Sequence, residues 1–262
     1  MLLRPHERMI FKRYLLPHRG EGFIFVAAAF SFTAVMLGVA ALVVVMSVVN
    51  GVRAELFDKI VGLNGHAVVQ GFGGRLDDWQ DIVRKAKATP GVVSATPLIE
   101  QPLLTTFNGR VEAVLVRGMR VADIRTNPSL KGKVQQGSLA ALSPESGRVA
   151  IGAQLARNLG ASVGSRITII NPAGRATPFG TVPREISYDV AAVFEIGVYD
   201  FDKAFVIMPM EDAQILMLLG DQVGMVEIKT DDPDRVGEIL AGFTQDIATQ
   251  AVVADWRSMN AS

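Results

Sequence analysis

Residues 23–49 carry no charge and are almost wholly apolar, a run longer than the roughly 20 residues a helix needs to cross a hydrocarbon core. A chain with such a run places one helix in a bilayer and builds the rest of its structure outside it. The short flank before it holds Arg4, Arg8, Lys12, Arg13 and Arg19 against Glu7 and Glu21, a basic excess that marks the cytoplasmic side. Residues 1–22 are therefore expected in the cytoplasm, residues 23–49 across the membrane, and everything after Asn50 on the far side. A cleaved signal peptide has an apolar region of only about 7 to 15 residues ending at a small-residue site. This run is too long, and no such site closes it.

After the helix, about 200 residues remain, enough for one or two domains with buried cores. The 262 residues contain no cysteine, which excludes a disulfide framework and a thiolate metal site. Twenty-six basic residues balance 26 acidic ones. Phosphate contacts demand a basic surface, so no nucleic-acid partner is expected.

In residues 50–65, Val52, Leu56, Ile60 and Leu63 recur at helical spacing, with Arg53, Glu55, Asp58 and Lys59 as a polar face. This is either a stalk prolonging the membrane helix or an amphipathic helix packed on the outer domain. Residues 66–70 read as a strand, 71–74 as a glycine-rich turn, and 77–87 as a helix with Ile82, Val83 and Ala86 inward. Pro90 and Gly91 stop that helix before a strand at 92–95. The order returns near the C-terminus: strand 225–229, turn 231–234, helix 236–247 and strand 251–256. Two matching strand, helix, strand units predict one split α+β subdomain, its halves at residues 66–130 and 201–262.

Between the units, strands 103–107 and 111–116 flank Asn108 and Gly109, the pair favoured in a two-residue hairpin because both positions need positive φ. An inserted strand-rich subdomain at 131–200 follows. Its elements are a strand at 149–151, a helix at 153–159 ended by Gly160, and strands at 166–170 and 189–194. A further strand is read at 204–208, and Pro209 then precedes a helix over about 210–219. The expected fold class is α+β: one N-terminal transmembrane helix, then an outer domain made of a split α+β subdomain with an inserted strand-rich one.

Catalysis would need a nucleophile with its base, a metal cluster or a phosphate loop. His6, His18 and His66 are scattered, with no second histidine three to five residues on, and neither GxxxxGK[ST] nor GxGxxG occurs. The acidic clusters at Asp77 and Asp78, at Glu211 and Asp212, and at Asp231, Asp232 and Asp234 each open a predicted helix, where carboxylates act as caps. No catalytic residue, metal site or cofactor is expected.

The most unusual stretch is residues 171–184 (NPAGRATPFGTVPR), a long connection between strands that carries Pro172, Pro178, Pro183, Gly174 and Gly180. Phe179 and Val182 at its tip are apolar and stand among prolines that lower the ordering cost of docking a partner. The stretch is either a preformed apolar hook or a wide hairpin whose prolines protect a sheet edge.

Several motifs together resemble a known family. They are KRYL with Arg13 and Tyr14, the region of Ser31, VVVMSVVNG at 43–51, Glu55 with Leu56, and LNGH at 63–66. GAQLARNLG at 152–160 with Gly164, and the closing Asp255, Trp256 and Asn260, complete the set. The chain is similar over its whole length to the N-terminal part of Lol-type lipoprotein-releasing permeases. These are membrane subunits of bacterial ABC systems (the LolC/LolE family), here of the hook-bearing LolC-like or merged type. GAQLARNLG also occurs in macrolide-exporter and division-type permeases.

The resemblance implies a MacB-like periplasmic domain in the inner membrane, three further transmembrane helices beyond this chain, a separate cytoplasmic ABC ATPase and a second permease subunit. It implies a lipoprotein substrate whose acyl chains, like membrane lipid, meet the first helix, where Phe30, Met36 and Met46 lie. A hairpin hook in the family inserts into a periplasmic lipoprotein chaperone. The matching positions are Pro178, Phe179, Gly180, Thr181, Val182 and Pro183, with Arg184 in a polar platform beneath. The implied function is extraction of lipoproteins from the inner membrane and their transfer to that chaperone. A related mechanotransmission permease of an efflux or cell-division system, and a single-span periplasmic sensor, are the alternatives.

Overall fold

The computed structural model describes residues 22–63, 65–177 and 180–255. Arg13, Tyr14, Pro178, Phe179, Trp256 and Asn260 lie outside them. The chain divides into two compact units that meet at Asp58 and Lys59.

The first unit is dominated by α1 (Gly22–Leu63), an unbroken helix of 42 residues. Its segment Val26–Gly51 is long and apolar enough to cross a membrane. Phe30, Met36, Leu42 and Met46 are all more than half exposed, and the span presents apolar side chains all round. Thr33, a polar residue in the span, donates its hydroxyl to the Ala29 carbonyl at 2.8 Å, which satisfies it without water. The helix runs on without a break through Leu63.

The second unit opens with a fastening to its own sheet. The Gly65 N–H donates to Glu227 Oε1 at 2.5 Å, and the His66 N–H donates to the Ile228 carbonyl at 2.8 Å. His66 Nδ1 accepts from the Thr230 N–H at 3.0 Å. Burial pushes the His66 pKa down, which keeps the imidazole a neutral acceptor. A Cβ on Gly65 would sit 2.3 Å from Glu227 Cγ, so the glycine of LNGH is there for close approach.

The two strand, helix, strand units interleave. The first is β1 (Ala67–Gly71), α2 (Trp79–Ala88) and β2 (Val92–Phe107). In chain order the sheet continues with β3 (Arg110–Met119), β4 (Val134–Gly137), β5 (Arg148–Gly152), β6 (Arg166–Thr177), β7 (Gly180–Phe194), β8 (Phe205–Pro209), β9 (Met225–Thr230) and β10 (Ala251–Asp255). Its order begins β10-β1-β9-β2, all antiparallel, so each unit leaves a gap that a strand of the other fills. The expected helix at 236–247 is instead two short ones, α7 (Val236–Ile239) and α8 (Ala241–Ile247), broken at Leu240 with Gly237 and Gly242, poor helix formers, on either side.

β2 is a single strand of 16 residues where two separate strands, 92–95 and 103–107, were expected. Pro97 and Pro102 fit extended backbone, and burial of Leu98, Ile99 and Leu103 holds the strand through them. It pairs with β9 up to Leu98 and with β3 from Leu98 onward, so the ladder passes uninterrupted from the interleaved units into the strand-rich part. Asn108 and Gly109 close the β2–β3 hairpin with φ of 48° and 78°.

The order continues β3-β8-β5-β7-β4, with β6 pairing β2 and β7. Three elements carried no clear pattern in the sequence: α3 (Val121–Thr126), β4 and α5 (Tyr199–Ala204). α4 (Ala153–Leu159) ends at Gly160 in the left-handed region, φ 72°, with Ala161 N–H reaching back to the Ala156 carbonyl at 2.9 Å. α6 (Met210–Met217) stops short of the expected 219 because Leu218 takes φ 56°.

Core residues separate by strand period. Val206 and Met208 of β8 join the larger cluster with Ile99, Leu155, Ile167 and Val226, while Phe205 and Ile207 join Leu98, Met119, Leu142 and Phe194. Across that second cluster Arg117 is 5 % exposed. It donates from Nε to Glu100 Oε2 at 2.8 Å, lies 3.9 Å from Glu227 Oε1, and stands 5.3 Å from the Phe205 ring centre.

Candidate functional site

Residues 171–177 and 180–184, read from the sequence as either an apolar hook or a wide hairpin, belong to two paired strands of an arm. The β6–β7 ladder runs from Arg166 opposite Asp189 to Asn171 opposite Arg184, then resumes at Arg175 opposite Val182 and reaches Thr177 opposite Gly180. Between these stretches, residues 172–174 face Pro183 alone. Both prolines at the base thus stand where the ladder is skipped and no N–H is required.

Local chemistry builds this bulge. Asn171 is 7 % exposed and its Oδ1 accepts the Ala173 N–H at 3.0 Å, turning the chain after Pro172. Gly174 then passes so close to the opposite strand that a Cβ would lie 2.0 Å from the Val182 carbonyl oxygen. A bulge bends and twists a ladder, so NPAG re-aims the outer part of the arm relative to its base.

The structure spreads the expected site residues along this arm. Pro178 and Phe179 lie outside the described residues. Gly180 has φ 118°, a conformation side chains rarely adopt. Thr181 pairs with Ala176, and Val182 is 55 % exposed. Pro183 faces the bulge, and Arg184 stands at the base, part-buried. A cavity of about 580 Å³ opens at the same base, between Asn171, Ala173 and Gly174 of the arm and Arg75, Glu100, Gln101, Met217 and Met225.

Below the arm, Tyr188 is 2 % exposed and donates its hydroxyl to the Asp212 carbonyl at 3.3 Å; burial raises its pKa. Asp212 Oδ1 accepts the Gly147 N–H at 3.1 Å, and burial pushes that carboxyl's pKa up. The expected capping by Asp212 is therefore a tie to a loop 65 residues away in sequence. Asp232 does cap, accepting the Asp234 N–H at 2.9 Å. Sequence reasoning missed Glu211, Ile215 and Leu218 as neighbours of Arg184, because only the fold brings residues 184 and 211–218 to one cavity.

The model of the MacB-like periplasmic core domain matches residues 28–246. The chain is 30% identical over 257 residues to the lipoprotein-releasing system transmembrane protein LolC of Neisseria meningitidis serogroup B, covering 98% of this chain and 62% of that protein. LolC of Xylella fastidiosa (strain Temecula1) is 30% identical over 262 residues, covering 100% of this chain and 63% of that one. LolE of Haemophilus influenzae is 23% identical over 251 residues, covering 94% and 60%. The chain thus spans about three-fifths of the length of these relatives. Taken with the apolar span of α1, the matches describe a membrane protein with a periplasmic domain. The chain belongs to the family of MacB-like periplasmic core domains.

Proposed function

We propose that the chain is the N-terminal part of an ABC-system membrane subunit that takes lipoproteins from the inner membrane and hands them, through the β6–β7 arm, to a periplasmic chaperone. The observation that carries the reading is the arm itself. A bulged base redirects a two-strand ladder whose outer part holds Gly180 in a turn conformation and leaves Val182 in water. An exposed apolar residue on a paired, entropically inexpensive arm suits insertion into an apolar pocket of a partner. The names of the relatives support a lipoprotein as the cargo.

In this reading residues 1–22 face the cytoplasm, where a separate ATPase and a second permease subunit work with the protein, and the chain itself performs no covalent chemistry. Pro178 and Phe179 are the residues that enter the chaperone, Gly180, Thr181, Val182 and Pro183 form the returning strand, and Arg184 the platform. Membrane lipid and lipoprotein acyl chains share the apolar face of α1.

The test is transfer in proteoliposomes holding the permease pair, the ATPase and a labelled lipoprotein, with the chaperone outside. Phe179→Ala is expected to cut transfer to the soluble fraction on the order of 10-fold or more, since apolar anchors contribute about 2 kcal/mol or more. Transfer at the wild-type rate would sink the reading.

A further inference from the structure

β2 has a neighbouring strand on both sides over most of its length, but one stretch has a neighbour on one side only. Phe107 and Arg110 close a two-residue hairpin and exchange both backbone hydrogen bonds, which sets the alternation along the strand. Odd-numbered residues bond β3, and even-numbered ones turn their N–H and C=O the other way. On that other side β9 pairs as far as Leu98, whose carbonyl accepts the Gly224 N–H at 3.1 Å, and β6 pairs from Leu104 onward. Among the described residues no strand lies between them, so the N–H and C=O of Glu100 and the C=O of Pro102 point into a gap in the sheet. Pro102, which has no N–H to give, stands where none is required.

This gap is the cavity of about 580 Å³, with Gly224 and Met225 of the β9 end and Asn171 and Gly174 of the β6 end among its lining. It runs along residues 99–103, roughly 16 Å at about 3.3 Å per residue. The bulge at 172–174 carries β6 away from β2 and leaves the slot open. Backbone donors and acceptors in line along an unpaired strand edge bind an extended peptide, which adds itself as a further strand. The surrounding side chains set few demands of their own. Of the lining residues only Arg75 and Glu100 are charged, and Glu100 Oε2 already accepts from Arg117 Nε at 2.8 Å. Met217 and Met225 adapt to side chains of varied shape.

We propose that this slot takes, as an added strand, the uncharged extended stretch that joins the lipid anchor of a lipoprotein cargo to its folded part. The inference rests on the lipoprotein reading above and gives the cargo a site of its own on the outer domain. Position argues for this occupant. β9 leads from the slot, at Met225, to Ile228 and Thr230, which hold His66 where the chain comes in from α1, and β6 leads from the slot, at Asn171, to the arm. A cargo moving from the membrane to the arm therefore meets the slot on the strands that connect the two. In the slot, N–H groups of the stretch go to the carbonyls of Glu100 and Pro102, and one of its carbonyls accepts the Glu100 N–H. Recognition through the backbone suits a carrier of many cargoes, since every lipoprotein has such a stretch whatever its fold.

The experiment uses the permease pair and ATPase in proteoliposomes, with a photo-crosslinker in place of the exposed Gln101 and a lipoprotein whose stretch after the anchor is built of glycine, serine and asparagine. Capture of the lipoprotein through that stretch is expected, falling about 10-fold when Gly224→Leu fills the slot and the strand hydrogen bonds are lost. A Cβ at 224 makes only ordinary contacts, the nearest at 3.5 Å from the Leu98 carbonyl oxygen, so the variant is expected to fold, with a melting temperature beside it as the check. A second arm leaves the protein untouched: a cargo whose stretch is all proline has no N–H to give and is expected to be captured about 10-fold less. Should Gly224→Leu melt early, this arm decides. No capture at 101, or capture that the proline cargo leaves unchanged, overturns the slot, and transfer that still depends on Phe179 then leaves the arm reading standing. Capture of the chaperone at 101, or crosslinks within the permease alone, overturns the slot as well. Capture of the lipoprotein without any transfer to the chaperone supports the slot and sinks the arm reading.

Discussion

Arg117→Ala is expected to lower the stability of the outer domain by about 3–5 kcal/mol, the range for stripping one partner from a buried ion pair. The guanidinium is almost fully buried and holds Glu100 through Nε at 2.8 Å and Nη2 at 2.7 Å, with Glu227 at 3.9 Å. Its removal leaves Glu100 of β2 and Glu227 of β9 without the guanidinium they share. The Phe205 face loses its cation as well. Glu227 also accepts the Gly65 N–H, so the loss reaches the point where the chain enters the domain. Chemical denaturation followed by tryptophan fluorescence checks this. A loss under about 1 kcal/mol would mean the three side chains behave as an exposed network.

Gly152→Ala is expected to cost about 3 kcal/mol or more. A Cβ there would lie 2.2 Å from the Asp202 carbonyl oxygen and 2.7 Å from its carbon, and neither can move without shifting α5. Asp202 is itself pinned, its carboxylate accepting the N–H groups of Ile196 and Gly197 at 2.7 and 3.0 Å. The clash therefore falls on backbone held at both ends. A melting temperature within about 2 °C of wild type would show that the α4 to α5 contact yields more readily than its geometry implies.

These two positions also show what was legible. GAQLARNLG and LNGH stand out in the sequence as family markers, and the structure gives each a scaffold role: close backbone approach at Gly152 and Gly65, and a left-handed helix end at Gly160. Short-range signals were readable. Asn108-Gly109 marked the hairpin, and Gly160 marked the end of α4. The arm was not readable as strands, because proline and glycine ordinarily mark loops. Only pairing across the bulge shows that Pro172 and Pro183 occupy skipped ladder positions. The cavity beside Arg184 was out of reach for another reason: residues 145, 184, 211 and 221 meet through parallel pairing of β3 with β8 and of β5 with β7, which no local pattern encodes.

The most direct test of the arm is the affinity of the 262-residue chain, in nanodiscs, for the periplasmic lipoprotein chaperone, measured for wild type and Phe179→Ala. Saturable binding by the wild type, weakened on the order of 30-fold by the substitution at an unchanged melting temperature, is the expected result, corresponding to about 2 kcal/mol. Equal affinity for both proteins, or no binding by the folded wild type, would contradict a chaperone-docking role.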